Sequence, residues 1–199
     1  MKKHYVNVIA IILAISLMCS ITSFAANDDN LDVRPLRGEY LKTFRLNLDE
    51  LYALREYTHA YYESLDNKNP SILAEYIGDF AVDSVVKVVF GYEVSTAVAG
   101  IRALIRIAKN EEVRAIQETT MEGLIAIDRA IDGYRNTEEW LSRPVIEAEV
   151  QFSVYTRWDY PDVEFIEGGG YIQRIHVRDG WISPGREYMM FLKKKYKEI

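Results

Sequence analysis

His59 and Glu63 stand four residues apart in THAYYE. That spacing puts an imidazole and a carboxylate on one helix face, where they can supply two ligands to a divalent metal. Two ligands do not complete a site, so the pair reads as a surface contact and no metal is expected. His176 alternates with Arg174 and Ile172, which on a strand points it to the surface or a partner and away from Gln173. Gly168-Gly169-Gly170 has neither a GxGxxG frame nor a following Lys-Ser, and reads as a turn, not a phosphate cradle. The chain contains no G-x-S-x-G and no HExxH, which argues against nucleophile-elbow hydrolases and helical zinc proteases. Its single cysteine, Cys19, falls in the leader described next. A processed chain would have no disulfide and no thiolate nucleophile or ligand, and no cofactor is expected.

Residues 1–25 have the build of a secretory signal peptide. Lys2 and Lys3 precede an apolar run from Val8 to Met18, and Ser23 and Ala25 take the small −3 and −1 positions. This predicts cleavage after Ala25 and an exported domain, periplasmic or extracellular. The apolar run is short of the ~20 residues of a membrane span, and Ser16 stands where a lipidation signal usually carries leucine. Net charge is −6, and losing the two lysines makes the mature form more acidic, which argues against nucleic acid and anionic membrane surfaces as general partners. Lys193–Lys195 with Lys197 reads as a solvated helix end, where cations suit the helix dipole. Residues 26–38, polar and punctuated by Pro35 and Gly38, predict a flexible linker; residues 39–199 predict one domain with a sizeable core.

Several elements are set by spacing. Leu48, Leu51, Leu54, Thr58, Tyr61 and Leu65 mark one helical face between Asn47 and Asp66. Asp66-Asn67-Lys68-Asn69-Pro70 breaks this helix, and Pro70 opens a short one with Ile72, Leu73, Tyr76 and Ile77 inward. Valine-rich Ala81–Phe90 reads as a strand, although its periodicity also fits a buried helix, and Gly91 ends it. Thr96–Ala108 returns to helical spacing. Residues 111–135 admit a helix through Val113, Ile116, Leu124, Ile127 and Ile131, against which Thr119-Thr120 and Gly123 speak. From Val150 to Trp158 apolar and polar residues alternate, predicting a strand with one buried face. Pro161 marks a turn, Val163–Ile166 a short strand, and the three glycines turn into a strand over Tyr171–Val177. Arg178-Asp179-Gly180 then reads as a tight turn before a last strand running into Arg186-Glu187-Tyr188.

Three of these segments, REYTHAYYESLDNKNPSILAEYIGDFAVDSV, FGYEVSTAVAGIRALIR and RIHVRDGWISPGREYM, together resemble the SnoaL-like branch of the nuclear-transport-factor-2-like (NTF2-like) superfamily. The resemblance covers about half of the mature chain. It implies an α+β cone, a curved antiparallel sheet wrapped around three helices, with a pocket at the open end. It also implies that residues 113–128 are largely strand. Asp132–Arg143 (DGYRNTEEWLSR) is longer than the family's hairpin and reads as a lid, a partner surface or an insertion. A buried Trp140 would staple it to the domain; an exposed one would mark a contact site. Dimers through the outer sheet face are common in the family, so a homodimer is expected by analogy.

In ketosteroid isomerase-like members a first-helix tyrosine and a protonated aspartic acid donate to an oxyanion, while an aspartate at the end of the first strand moves a proton. By resemblance Tyr61 takes the tyrosine position, Asp83 or Ser84 the base position, and Gln173 that of the acidic donor. Glutamine donates a hydrogen bond but cannot act as that acid. If Phe80, Val82 and Ser84 face inward, Asp83 faces out and the base is missing. Trp158, at the end of an apolar strand face, can floor a ligand site or close the core.

With the isomerase set incomplete, the expected function is an exported, non-catalytic domain binding a small apolar ligand or a protein partner, with Tyr61, Trp158 and Gln173 in the pocket. The alternative is a cofactor-independent acid–base enzyme, an isomerase, cyclase or hydrolase, acting through Asp83 and Tyr61. A membrane-active helical protein built on Ala81–Ile107 ranks third, because Asp83, Lys87, Glu93 and Arg102 interrupt that stretch and stable insertion is not expected.

Overall fold

The computed structural model describes residues 37–157 and 163–197. The signal peptide, most of the linker, Trp158 and Pro161 lie outside the described residues. The elements follow as β1 (Arg37–Leu46), α1 (Leu48–Asp66), α2 (Ser71–Ala74), α3 (Phe80–Phe90), α4 (Val94–Ile107), α5 (Asn110–Leu141), β2 (Glu147–Arg157), β3 (Val163–Val177), β4 (Gly180–Ile182) and α6 (Arg186–Lys195). The strands make one antiparallel sheet in the order β1-β2-β3-β4, curled like half a barrel. The chain is thus α+β, with six helices among the described residues where the resemblance implied three.

α1 begins with a reciprocal cap. Glu50 N donates to Asn47 Oδ1 at 2.9 Å, and Asn47 N donates to Glu50 Oε2 at 2.8 Å, satisfying two otherwise orphaned amides. Its buried face, including Leu51, Leu54, Tyr61 and Leu65, is the one its sequence predicts. β1 was not foreseen: it takes up the end of the expected linker, and Phe44 pairs with Val150 across the sheet.

The expected strand at Ala81–Phe90 is helix α3. Valine favours strands, but Val82, Val85, Val86, Val89 and Phe90 are the buried residues, and that spacing fits a helix and not an alternating strand. Its ends are chemically defined. Asp79 accepts from the amides of Ala81 and Val82, and Gly91 closes it at φ 77° in the left-handed region.

Residues 113–128, implied to be strand by the resemblance, belong to the 32-residue helix α5. Its buried residues run through Ile116, Thr120, Gly123, Ile127, Ala130, Tyr134 and Thr137, a 3-4 spacing that packs against β3 and α1. The buried Thr120 hydroxyl donates to Ile116 O at 2.7 Å, so it leaves no unpaired polar group in the helix. Asp132–Arg143 is the end of α5 and its exit, not a separate lid.

The three glycines do not turn the chain; they lie inside the single 15-residue strand β3. Register shifts interrupt its pairing with β2 between Glu149 and Val150, Gln151 and Phe152, and Ser153 and Val154, the signature of bulges that bend a sheet. They also let α5 approach closely. A Cβ built on Gly170 (φ +81°) would lie 2.0 Å from Ala126 O, and one on Gly123 would lie 2.2 Å from Ile166 O.

The tight turn after Val177 holds, with Val177 paired to Gly180. The last predicted strand ends at Ile182, and Arg186-Glu187-Tyr188 opens helix α6, whose last turn carries Lys193–Lys195. The core fills the helix-covered face of the sheet. Phe44, Val150, Phe152, Val154 and Ile175 meet Leu54, Tyr57, Tyr61, Ile127 and Tyr134. Among the described residues no single helix is long and apolar enough to cross a membrane; α3 and α4 pass that test only together, bent by 73°, and their inner faces are buried in this core.

Candidate functional site

A cleft of about 640 Å³ opens where α5, β3 and α6 meet, within the size range of small-molecule sites. Its α5 wall comprises Ile125, Asp128, Arg129, Asp132, Gly133 and Asn136, residues that one helix face brings together. β3 contributes Gly170, Tyr171 and Ile172, and α6 contributes Tyr188, Met189 and Leu192 with its C-cap Tyr196, while Pro184 lies on the approach. Gly133 brings the walls together at the floor: its Cβ position lies 3.0 Å from Ile172 Cγ1.

α6 is held over this space by few anchors. Tyr188 is its buried residue; its hydroxyl donates to Gly133 O at 3.3 Å, and its ring packs against Trp140 at 5.4 Å between centroids. Burial raises the Tyr188 phenol pKa above its ordinary value, an effect partly opposed by a hydrogen bond with Thr137. Trp140 is half-buried against the core and staples the end of α5 to α6. Lys195 donates to Asn136 Oδ1 at 2.8 Å and pairs with Glu139, while Asn136 Nδ2 donates to the Tyr196 hydroxyl at 3.2 Å.

Most charges around the cleft have partners. Asp128 pairs with Arg55 at 2.5 Å, and its hydrogen bond and charge raise the guanidinium pKa. Arg129 donates from Nη1 to Gly169 O at 2.6 Å and lies 5.4 Å over the Tyr171 ring. Asp132 is exposed on the cleft wall and has no hydrogen bond or ion pair among the described residues. The arrangement offers aromatic and aliphatic walls, fixed polar groups and one uncommitted carboxylate.

The residues singled out from sequence stand elsewhere. Tyr61 is 3% exposed, with ring centroids 6.1 Å from Tyr57 and 5.6 Å from Phe165, and burial raises its phenol well above the ordinary value. Asp83 lies in the first turn of α3 and accepts from Val94 N at 3.1 Å, supplying α4 with a cap that its own Glu93 does not give. Ser84 is exposed. Gln173, expected in the pocket, is exposed on the other face of the sheet, where its Nε2 donates to Gln151 Oε1 at 3.3 Å. It is the extra residue at a bulge, opposed by neither Glu149 nor Val150. Trp158 lies outside the described residues. The structure therefore does not bring Tyr61, Asp83 and Gln173 to one cavity.

Comparison with protein-family models, curated proteins and solved structures finds no match to this chain. The site rests on its geometry alone. His59 and Glu63 are 3.8 Å apart and both exposed, and no group of three or more His, Cys, Asp or Glu side chains among the described residues is placed to hold a metal. His176 is half-buried on the outer sheet face, stacked on Trp181 at 5.0 Å with Nδ1 3.3 Å from Glu147 Oε1. Sequence reasoning missed Asp132, Tyr171 and Tyr196. The available signal was the polar face of α5, but it emerges only once residues 110–141 are read as one uninterrupted helix.

Proposed function

We propose that this chain is an exported, cofactor-free binding domain that holds a small, largely apolar ligand between α5, β3 and α6 without turning it over. The observation that carries the reading is the cleft itself: Ile125, Ile172, Met189 and Leu192 line it together with three tyrosines and a few oriented polar groups, the composition that favours retention of a compact amphipathic molecule. The acid–base alternative gains no support, because Asp83 accepts from the Val94 amide and Tyr61 is packed in the core. The resemblance to the NTF2-like cone remains a proposal for how the sheet curls around its helices. The curled sheet supports it; helix at Phe80–Phe90 and over residues 113–128, where strands were implied, opposes it. The cleft does not depend on it.

Native mass spectrometry of the mature protein, gently purified from its exported compartment, tests the reading. A retained small-molecule mass that disappears in Leu192→Trp, which fills the cleft, is the expected result. A bare chain that acquires no mass from an apolar metabolite extract would turn the assignment towards partner binding.

A further inference from the structure

We infer that the cleft selects a cationic amphiphile, an ammonium group carried on an apolar body, with the ammonium set against Asp132. The inference rests on the cleft being a ligand site and adds the charge of the ligand. Nearby side-chain charges are already engaged: Asp128 by Arg55, Arg129 by Gly169 O and the Tyr171 ring, Lys195 by Glu139 and Asn136. Asp132 has no such partner among the described residues. Arg135, three residues along the helix, is turned to Tyr52.

A neutral ligand covering Asp132 would strip water from a carboxylate and return nothing for it, whereas an ammonium would replace that water with a charge partner. An anion would meet the unpaired Asp132 carboxylate, and the cation on the same wall, Arg129, is turned to Gly169 O and the Tyr171 ring. The lining is compatible with the same choice: Tyr188 is packed against Trp140 and Phe191, but the exposed Tyr196 adds a ring of the kind that attracts cations, while Met189 and Leu192 offer the apolar body a surface.

The test titrates the mature protein at low salt with phenylbutylammonium, phenylbutanol and phenylbutyrate, followed by amide NMR shifts of α5 and α6. The ammonium is expected to bind about tenfold tighter than the other two, and Asp132→Asn to remove about that factor while leaving phenylbutanol unchanged. Asp132 makes no hydrogen bond or ion pair among the described residues, so the isosteric variant should keep its melting temperature; a lowered one shifts the comparison to the ratio of ammonium to alcohol affinity within the variant. Equal binding of the alcohol or the carboxylate, or an ammonium affinity indifferent to Asp132→Asn, overturns the cationic preference and leaves the cleft as a ligand site. If none of the three moves cleft amides, both readings fall.

Discussion

Gly170 and Gly123 are where single atoms decide the packing. Each offers no room for a methyl group, since the position it would occupy is already within 2.2 Å of a backbone carbonyl oxygen, and Gly170 also has a positive φ. Gly170→Ala is expected to destabilise the domain by about 3 kcal/mol, combining backbone strain with displacement of α5 from β3, as read by urea denaturation. An alanine variant within about 0.5 kcal/mol of the parent would mean that the helix yields easily and the close approach is not needed. Tyr57 is a milder case. Its hydroxyl lies 3.2 Å from that of Tyr92, and Tyr57→Phe is expected to cost about 1 kcal/mol, the net value of one hydrogen bond with its shape retained.

Asp83 belongs to the scale of elements, because its carboxylate joins the start of α3 to the start of α4. Asp83→Ala is expected to cost about 1 kcal/mol, the usual value of a helix cap, and to speed amide hydrogen exchange at Val94–Ala97 before the rest of the molecule responds. If exchange there is unchanged, another group caps α4. Helix α6 is secured chiefly through Tyr188, Trp140 and Lys195. Tyr188→Ala should therefore loosen α6 from the cleft and, in a background with Trp158 and Trp181 replaced by Phe so that Trp140 alone emits, shift the fluorescence towards the red, while far-ultraviolet circular dichroism stays close to that of the same background. An unmoved emission maximum would show that Trp140 takes its environment from the core alone.

One core joins the sheet to its helices, so the described domain is expected to unfold in a single transition with an alkaline limit. Burial holds the phenols of Tyr57 and Tyr61 well above 10.0. The unfolded chain loses these protons near pH 10.0 while the folded chain keeps them. The stability they carry is thus full below that pH and is lost as pH rises towards their folded values. The urea midpoint is expected to fall above pH 10.0, and a Tyr57→Phe, Tyr61→Phe double variant to flatten this fall by up to ~1.4 kcal/mol per pH unit for each tyrosine. An equally steep decline in the double variant would assign the alkaline limit to other groups.

The sequence by itself determined the elements whose signals are local. Leu51, Leu54 and Tyr61 recur on one face of α1, Asp66–Pro70 halts it, Gly91 ends α3, and Asp179-Gly180 turns β3 into β4. Each follows from side-chain spacing or from backbone freedom at a single residue. It also showed Tyr61 on a buried helix face and left open whether Asp83 faced inward. Tertiary structure decided what depends on partners distant in sequence. Valine propensity at 81–90 gives way to burial on a helical period, because α1 offers that segment a surface and no strand pairs with it. Gly168–Gly170 bend a strand instead of reversing it, because β2 continues to pair on both sides and α5 presses against Gly170. The cleft is the furthest from the sequence: Asp132, Tyr171 and Tyr196 lie on three elements, and only the close packing of α5 on β3, with α6 folded back over both, places them around one space.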